Sequence, residues 1–478
     1  MTTQFWEKIL FRWRVLIFGA LAIALGFLIG IGVGLTPNIF LPIAAGLGSV
    51  VAILSLTNLE FGLLVFIIIT YLRVSDIAVN YYNAPSIARP FFFLLVVAVV
   101  LNWAITKKNP KGWLTPAVLI LAYGLIIFGS IFYATDFSSA QAAADDYWKD
   151  GLIAVLVAAL IQKKSTFRHV IWALLLSGIF VGTISVIQYL TGTFSNTYFG
   201  FAQAPLLQIV GETQGNRVAG QIGDPNFYAQ IMVVLVPLAI NRMLSEKSTI
   251  LKLLAGYGLL VISLTIIFTF SRGGFFALLT ALLVLAFYRP PRLPLLVIFL
   301  AGAWVIILLL PSSFLDRMGT ITDLLSGQQD VRTESSFRGR ASELIAAWQM
   351  FADHPIMGVG IKNYPAYYLQ YSRQLGLDSR TTQREPHNLF LEIAAETGIM
   401  GLLAFGSILF FIFRYVNYAR KSLEKSGDID FKDLVGAYSA SMIGYLAAAM
   451  FIHGAYPRYL WLLAGIAFAL PNIVKNET

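Results

Sequence analysis

The residues most able to do chemistry in this sequence are arginines and one histidine, set in polar segments between long apolar runs. Arg217, Arg272, Arg332, Arg338, Arg340, Arg373, Arg380 and Arg384 all lie in such segments. A guanidinium offers a planar fork of donors that matches phosphate oxygens, so a cluster of them points to a phosphorylated ligand, although a single loop arginine is more often solvated. Arg272 follows a long apolar run and precedes Gly273-Gly274. That order puts a permanent cation at a membrane boundary, beside backbone N–H groups able to face an anion. Arg217 begins the stretch that ends in Gly223-Asp-Pro-Asn226, where Pro225 suits a helix start and Asp224 or Asn226 its cap. Two arginines from separate helix ends at one depth can clamp a diphosphate at the lipid headgroup level.

His387 follows Arg384-Glu385-Pro386. The pattern predicts a helix from near Pro386 to Gly398 with His387 in its first turn, where the positive end of the dipole disfavours an imidazolium and leaves a ring able to accept a proton. His169 and His453 read as interfacial residues and His354 as a helix terminator. Asp145-Asp146 has no histidine or further carboxylate beside it in sequence and reads as solvated, so no metal and no cofactor are expected. No Asp or Glu falls well inside an expected span, which weighs against a proton-coupled transporter.

The elements that position these residues are membrane helices. Hydrophobic residues make up 58% of the chain and charged ones 12%, outside the range of soluble domains. Apolar runs, most of them near the length that crosses a bilayer, recur at 15–35, 38–56, 61–73, 90–106, 114–134, 151–161, 170–190, 225–240, 251–270, 275–288, 294–310, 396–415, 434–452 and 459–473, with 61–73, 151–161 and 275–288 the short ones. The expected fold is all-α: a single polytopic membrane domain over 1–478 with about 12 to 14 transmembrane helices and both termini cytoplasmic. Lys8, Arg12 and Arg14 precede a run reaching Leu35 that lacks a small-residue cleavage site, so this run is expected to be a retained helix. Lys107, Lys108, Lys111, Lys163, Lys164, Arg168, Arg289, Arg292, Arg420, Lys421 and Lys425 fall in loops of one side, so the net charge of +9 reports topology and implies no nucleic acid. With no cysteine, a disulfide framework and a thiolate metal site are excluded.

The opposite, extracytoplasmic side receives 135–150, 191–224, Ser271 to Gly274 and the long loop 311–395. In that loop Phe337, Ala341, Leu344, Trp348 and Phe351 recur at helical spacing, predicting an amphipathic helix folded against the membrane domain.

Taken in order, Arg217 with Gly223-Asp-Pro-Asn226, Phe270-Ser-Arg-Gly-Gly274, Arg340 through Trp348 to His354-Pro-Ile-Met-Gly-Val-Gly360, His387-Asn-Leu-Phe-Leu-Glu392 and Glu396-Thr-Gly-Ile-Met-Gly401 resemble the O-antigen ligase and Wzy polymerase superfamily. The resemblance covers roughly residues 200 to 405. It implies a GT-C-like helical fold in a bacterial inner membrane. The implied activity is metal-independent transfer of a glycan from a polyprenyl diphosphate carrier to a glycan or lipid-linked acceptor. On the same resemblance His387 matches the family's proposed catalytic base, Arg217 and Arg272 match arginines proposed to hold the diphosphate, and Arg340 matches a further recurrent arginine. Ligases, polymerases, protein O-oligosaccharyltransferases and relatives labelled bicarbonate transporters share these motifs. A solute transporter and a non-catalytic envelope-assembly scaffold are the competing readings.

Overall fold

The computed structural model describes residues 40–107, 109–207, 215–291, 293, 335–377, 384–454 and 458–475. The expected spans 15–35 and 294–310, together with Arg332 and Arg380, lie outside those residues, as does the side chain of Arg338. Among the described residues the fold is helical, with one short strand pair in which β1 (Leu206–Leu207) runs antiparallel to β2 (Gly215–Asn216). Every expected span within the described residues overlaps a helix. Seven helices there are long and apolar enough to cross a membrane.

The chain divides into two compact units, residues 1–66 with 87–109, and residues 67–86 with 110–478. The first holds α1 (Phe40–Thr57), most of α2 (Leu59–Tyr71) and α4 (Ala88–Thr106). Its core includes the Phe66 ring against Phe91 and Phe92, at centroid distances of 6.5 and 6.1 Å.

The second unit holds the end of α2 and α3 (Val74–Tyr82), then α5 (Leu114–Ile131), α6 (Phe137–Leu160), α7 (Lys164–Leu190), α8 (Pro225–Ser245), α9 (Thr249–Phe268) and α10 (Arg272–Tyr288). It continues with α11 (Ser335–Asp353), α12 (Tyr364–Gln374), α13 (Leu389–Ser426), α14 (Ile429–Ala448) and α15 (Arg458–Lys475). Helix α8 is buried along nearly its whole length and packs against α9, α10 and α14. Pro225 stands in its first turn and Asp224 caps it, as the sequence suggests.

Three local features differ from expectation. Residues 137–150, expected in a loop, form the first half of α6: Asp136 caps it by accepting from Ser139 N at 3.0 Å, and the alanine run through Ala144 has high helix propensity. Asp145 and Asp146 are exposed, as expected.

Helix α11 is present, but its buried face is not the stripe of large apolar residues. Ser342, Glu343, Ala346, Ala347 and Met350 are buried, while Trp348 is 59% exposed. The buried alanines let α11 approach Val359, Tyr364, Tyr368 and Ala395 closely.

Helix α13 runs on to Ser426, far past Gly398, and is broken there by a backbone with φ 63° and ψ −160°, a region almost restricted to glycine. The segment from Pro355 to Gly360 fills the break. Val359 N donates to Ala395 O at 2.9 Å, Gly360 N to Glu396 O at 2.9 Å and Ile399 N to Pro355 O at 2.8 Å. A Cβ on Gly398 would stand 2.3 Å from Ile356 O, and one on Gly358 2.3 Å from the Glu396 carbonyl carbon, so both glycines are steric requirements of this clamp. Tyr133 Oη, donating to Met357 O at 2.5 Å, and the Asp136 N–H, donating to Asn363 Oδ1 at 2.7 Å, tie the same segment to the α5–α6 turn.

Candidate functional site

The α9–α10 junction holds the first pair of expected residues. Ser271 caps α10 by accepting from Gly274 N at 3.1 Å, which makes Arg272 the first helical residue. One N–H of the glycine pair, expected to face an anion, is therefore used in the cap. The glycines serve packing: a Cβ on Gly274 would lie 2.6 Å from Ala229 Cβ, and one on Gly273 2.9 Å from Phe451 Cβ.

Arg217 is almost fully buried at this junction, with Nε donating to Thr269 O at 2.6 Å and Nη2 to Asn226 Oδ1 at 3.1 Å. The neighbouring Val218 N donates to Phe268 O at 3.1 Å. Arg217 is thus locked onto Thr269, three residues before Arg272. Asn226 spends its side-chain oxygen on Arg217, leaving Asp224 alone as the α8 cap.

The second pair lies at the start of α13. The helix begins at Leu389, and Asn388 caps it by accepting from Phe390 N and Leu391 N, each at 3.0 Å. His387 therefore precedes the cap and is not in the first helical turn, because the asparagine side chain captures the helix's unpaired N–H groups. Its Nδ1 meets Glu343 Oε2 at 2.6 Å, and Arg384 Nη1 stands 3.4 Å from Glu343 Oε1. Glu343 is 1% exposed. Arg340 is partly buried one turn before Glu343 on α11, whereas Arg373 is exposed in the last turn of α12.

Residues 449–454 connect the two pairs. The Phe451 ring packs on Phe276 of α10 at 5.6 Å between centroids, and Asn388 Nδ2 donates to Met450 O at 3.2 Å. The His453 ring meets that of His387 edge to face at 5.4 Å. Gly454 N donates to Glu392 Oε2 at 2.7 Å. Burial lowers the pKa of His453, which stands near Glu385, His387, Lys362 and Asp224. His453 thus lies within electrostatic reach of both the α8 cap and His387.

Near His453, Lys362 pairs with Glu385 at 2.6 Å. Burial opposes the ammonium charge, but Glu385, Glu392 and Glu396 outweigh it and hold the Lys362 pKa above its ordinary value. Among the described residues, no three His, Asp or Glu side chains converge in a metal-holding arrangement.

Two basic groups from one junction, and a histidine backed by a carboxylate from another, are therefore joined through a single short segment. Comparison with known families bears on what such a layout is for. Residues 257–406 match the O-antigen ligase family model. The match supports the resemblance to the O-antigen ligase and Wzy polymerase superfamily. The matched segment contains Arg272, Arg340, Glu343, Arg384 and His387, while Arg217 precedes it and His453 follows it. The glycine clamp also falls inside it. No curated protein matches the chain.

Within the matched segment, sequence reasoning missed Glu343; beyond it, His453 reads from sequence only as an interfacial residue. The signal for Glu343 was its helical register with Ala346, Ala347 and Met350, a small-residue face masked by the larger apolar residues around the helix. His453 carried no local signal, since only tertiary packing brings it to His387.

Proposed function

We propose that the chain is a membrane glycosyltransferase that moves or polymerises a glycan from an undecaprenyl-type polyprenyl diphosphate onto an acceptor hydroxyl. The reaction takes place at the outer face of a bacterial inner membrane, within a GT-C-like fold of about 12 to 14 spans with both ends cytoplasmic. The observation that carries this reading is the connection of the Arg217 and Arg272 junction to the His387 and Glu343 pair through residues 449–454, with Arg272, Glu343 and His387 inside the segment that matches the O-antigen ligase model.

His387 takes the proton of the acceptor hydroxyl while the acceptor oxygen forms its bond to the anomeric carbon. The bond from that carbon to the diphosphate oxygen breaks, and its electron pair leaves with the diphosphate. Arg217 and Arg272 stabilise the charge that develops there, and Arg340 assists from α11. Diphosphate is a good leaving group, so a base and cations suffice without a metal. Direct attack inverts the anomeric configuration.

The test is to incubate purified protein in lipid nanodiscs with a synthetic undecaprenyl diphosphate glycan, an acceptor glycan and EDTA, then read product size and anomeric configuration. Transfer with inversion is expected, and a ladder of sizes separates polymerase from ligase. Transfer that stops with EDTA, or proceeds with retention, contradicts the mechanism.

A further inference from the structure

Glu343 touches His387, and its surroundings suit a specific task. It comes from α11, while His387 comes from the residue before the α13 cap, 44 positions along the chain. The two helices are fastened by the glycine clamp and by the small-residue face of α11, so the contact joins two rigid elements. Tyr364 Oη donates to the backbone carbonyl of Glu343 at 2.7 Å, fixing the helix at that residue. Of the two carboxylate oxygens, Oε2 faces His387 Nδ1 at 2.6 Å and Oε1 faces Arg384 Nη1 at 3.4 Å. A second titratable ring, that of His453, also packs against His387.

An ionised carboxylate can only accept hydrogen bonds, and Arg384 supplies a permanent cation to balance its charge. A ring nitrogen against Oε2 is then a donor. In a neutral imidazole with a proton on Nδ1, the lone pair lies on Nε2, at the far side of the ring.

We infer that Glu343 is a positioning residue: it holds His387 in the Nδ1–H tautomer, directs Nε2 toward the acceptor hydroxyl, and pairs with the imidazolium formed when the proton arrives. This inference rests on the reading of His387 as base, but its physical content concerns the ring alone. Losing the carboxylate leaves the base present in the wrong tautomer, which is costly in enzymes that depend on a carboxylate-oriented histidine.

The experiment compares wild type, Glu343→Gln, Glu343→Asp and His387→Ala in nanodiscs, each checked for folding by thermal melt. Histidine is labelled with nitrogen-15, and the His387 signals are assigned by their loss in His387→Ala. At a pH where the ring is neutral, wild type should show a pyrrole-type Nδ1 and a pyridine-type Nε2. Glu343→Gln should shift those signals toward the other tautomer, lower kcat by on the order of 10²–10⁴-fold and leave the KM for the donor within about twofold. Glu343→Asp should restore the Nδ1–H signature and part of kcat. A folded Glu343→Gln protein with unchanged nitrogen shifts or wild-type kcat overturns the inference. Full activity in His387→Ala sinks the base assignment instead, and the nitrogen spectra still report on whether Glu343 sets the tautomer.

Discussion

At the lysine-rich end of the larger unit, Lys164 pairs with Asp428 at 2.9 Å, Arg168 with Asp430 at 2.7 Å and Arg289 with Asp433 at 3.4 Å. All three acids lie at the start of α14, where the helix dipole favours negative charge, and each pair ties one helix end to another. At the opposite end the same residue types are arranged differently. One buried carboxylate, Glu343, is shared by a histidine and an arginine, and Arg217 is held by a carbonyl and an amide oxygen. The first pattern fixes helix ends with partly exposed pairs, each replaceable at small cost. The second keeps arginines and a histidine ordered by neutral groups or a shared anion, which suits the proposed site for a charged substrate. Removing one member of such a buried group leaves its partner without compensation.

The contrast yields a graded set of outcomes. Arg272→Gln should lower kcat/KM for transfer on the order of 10²–10³-fold in a folded protein, as expected for loss of one group stabilising the leaving charge. Wild-type kcat/KM would place Arg272 outside the site. Gly398→Ala should destabilise the protein by about 3 kcal/mol or more, since the glycine-only backbone and the approach to Ile356 O are both violated. A melting temperature within a degree of wild type would mean that the clamp is dispensable. Asn388→Ala should cost about 1 kcal/mol through loss of the α13 cap, with a matching fall in thermal stability. Asp430→Asn, at the lysine-rich end, removes the partly exposed Arg168 pair and a 3.8 Å approach to the buried Arg242, which Glu246 still holds at 3.0 Å, so it should change stability by about 0–1 kcal/mol and leave transfer untouched. A large loss of transfer there would erase the distinction between the two ends.

Much of the helix layout was legible because hydrophobic runs report spans directly, and even the short intervals 61–73, 151–161 and 275–288 overlap helices. Arg217, Arg272 and His387 were legible as residue types placed beside helix-start signals. The local geometry was less so. His387 was placed inside a helix because Pro386 is a good first-turn residue, yet Asn388 is the stronger cap and shifts the start to Leu389. Helix α11 was found, but its packed face was misread, because large apolar residues mark the expected core face while close helix packing selects alanine. The clamp required seeing that Pro355 to Gly360 and Ala395 to Met400 are partners, a pairing that no local periodicity encodes.

The most direct test of the account is the initial rate of glycan transfer from a synthetic undecaprenyl diphosphate donor by His387→Ala and Asp430→Asn, measured beside wild type in the same nanodiscs. A loss on the order of 10²–10⁴-fold for His387→Ala, with Asp430→Asn at the wild-type rate, is the predicted result. A folded His387→Ala protein that transfers glycan as fast as wild type would contradict it.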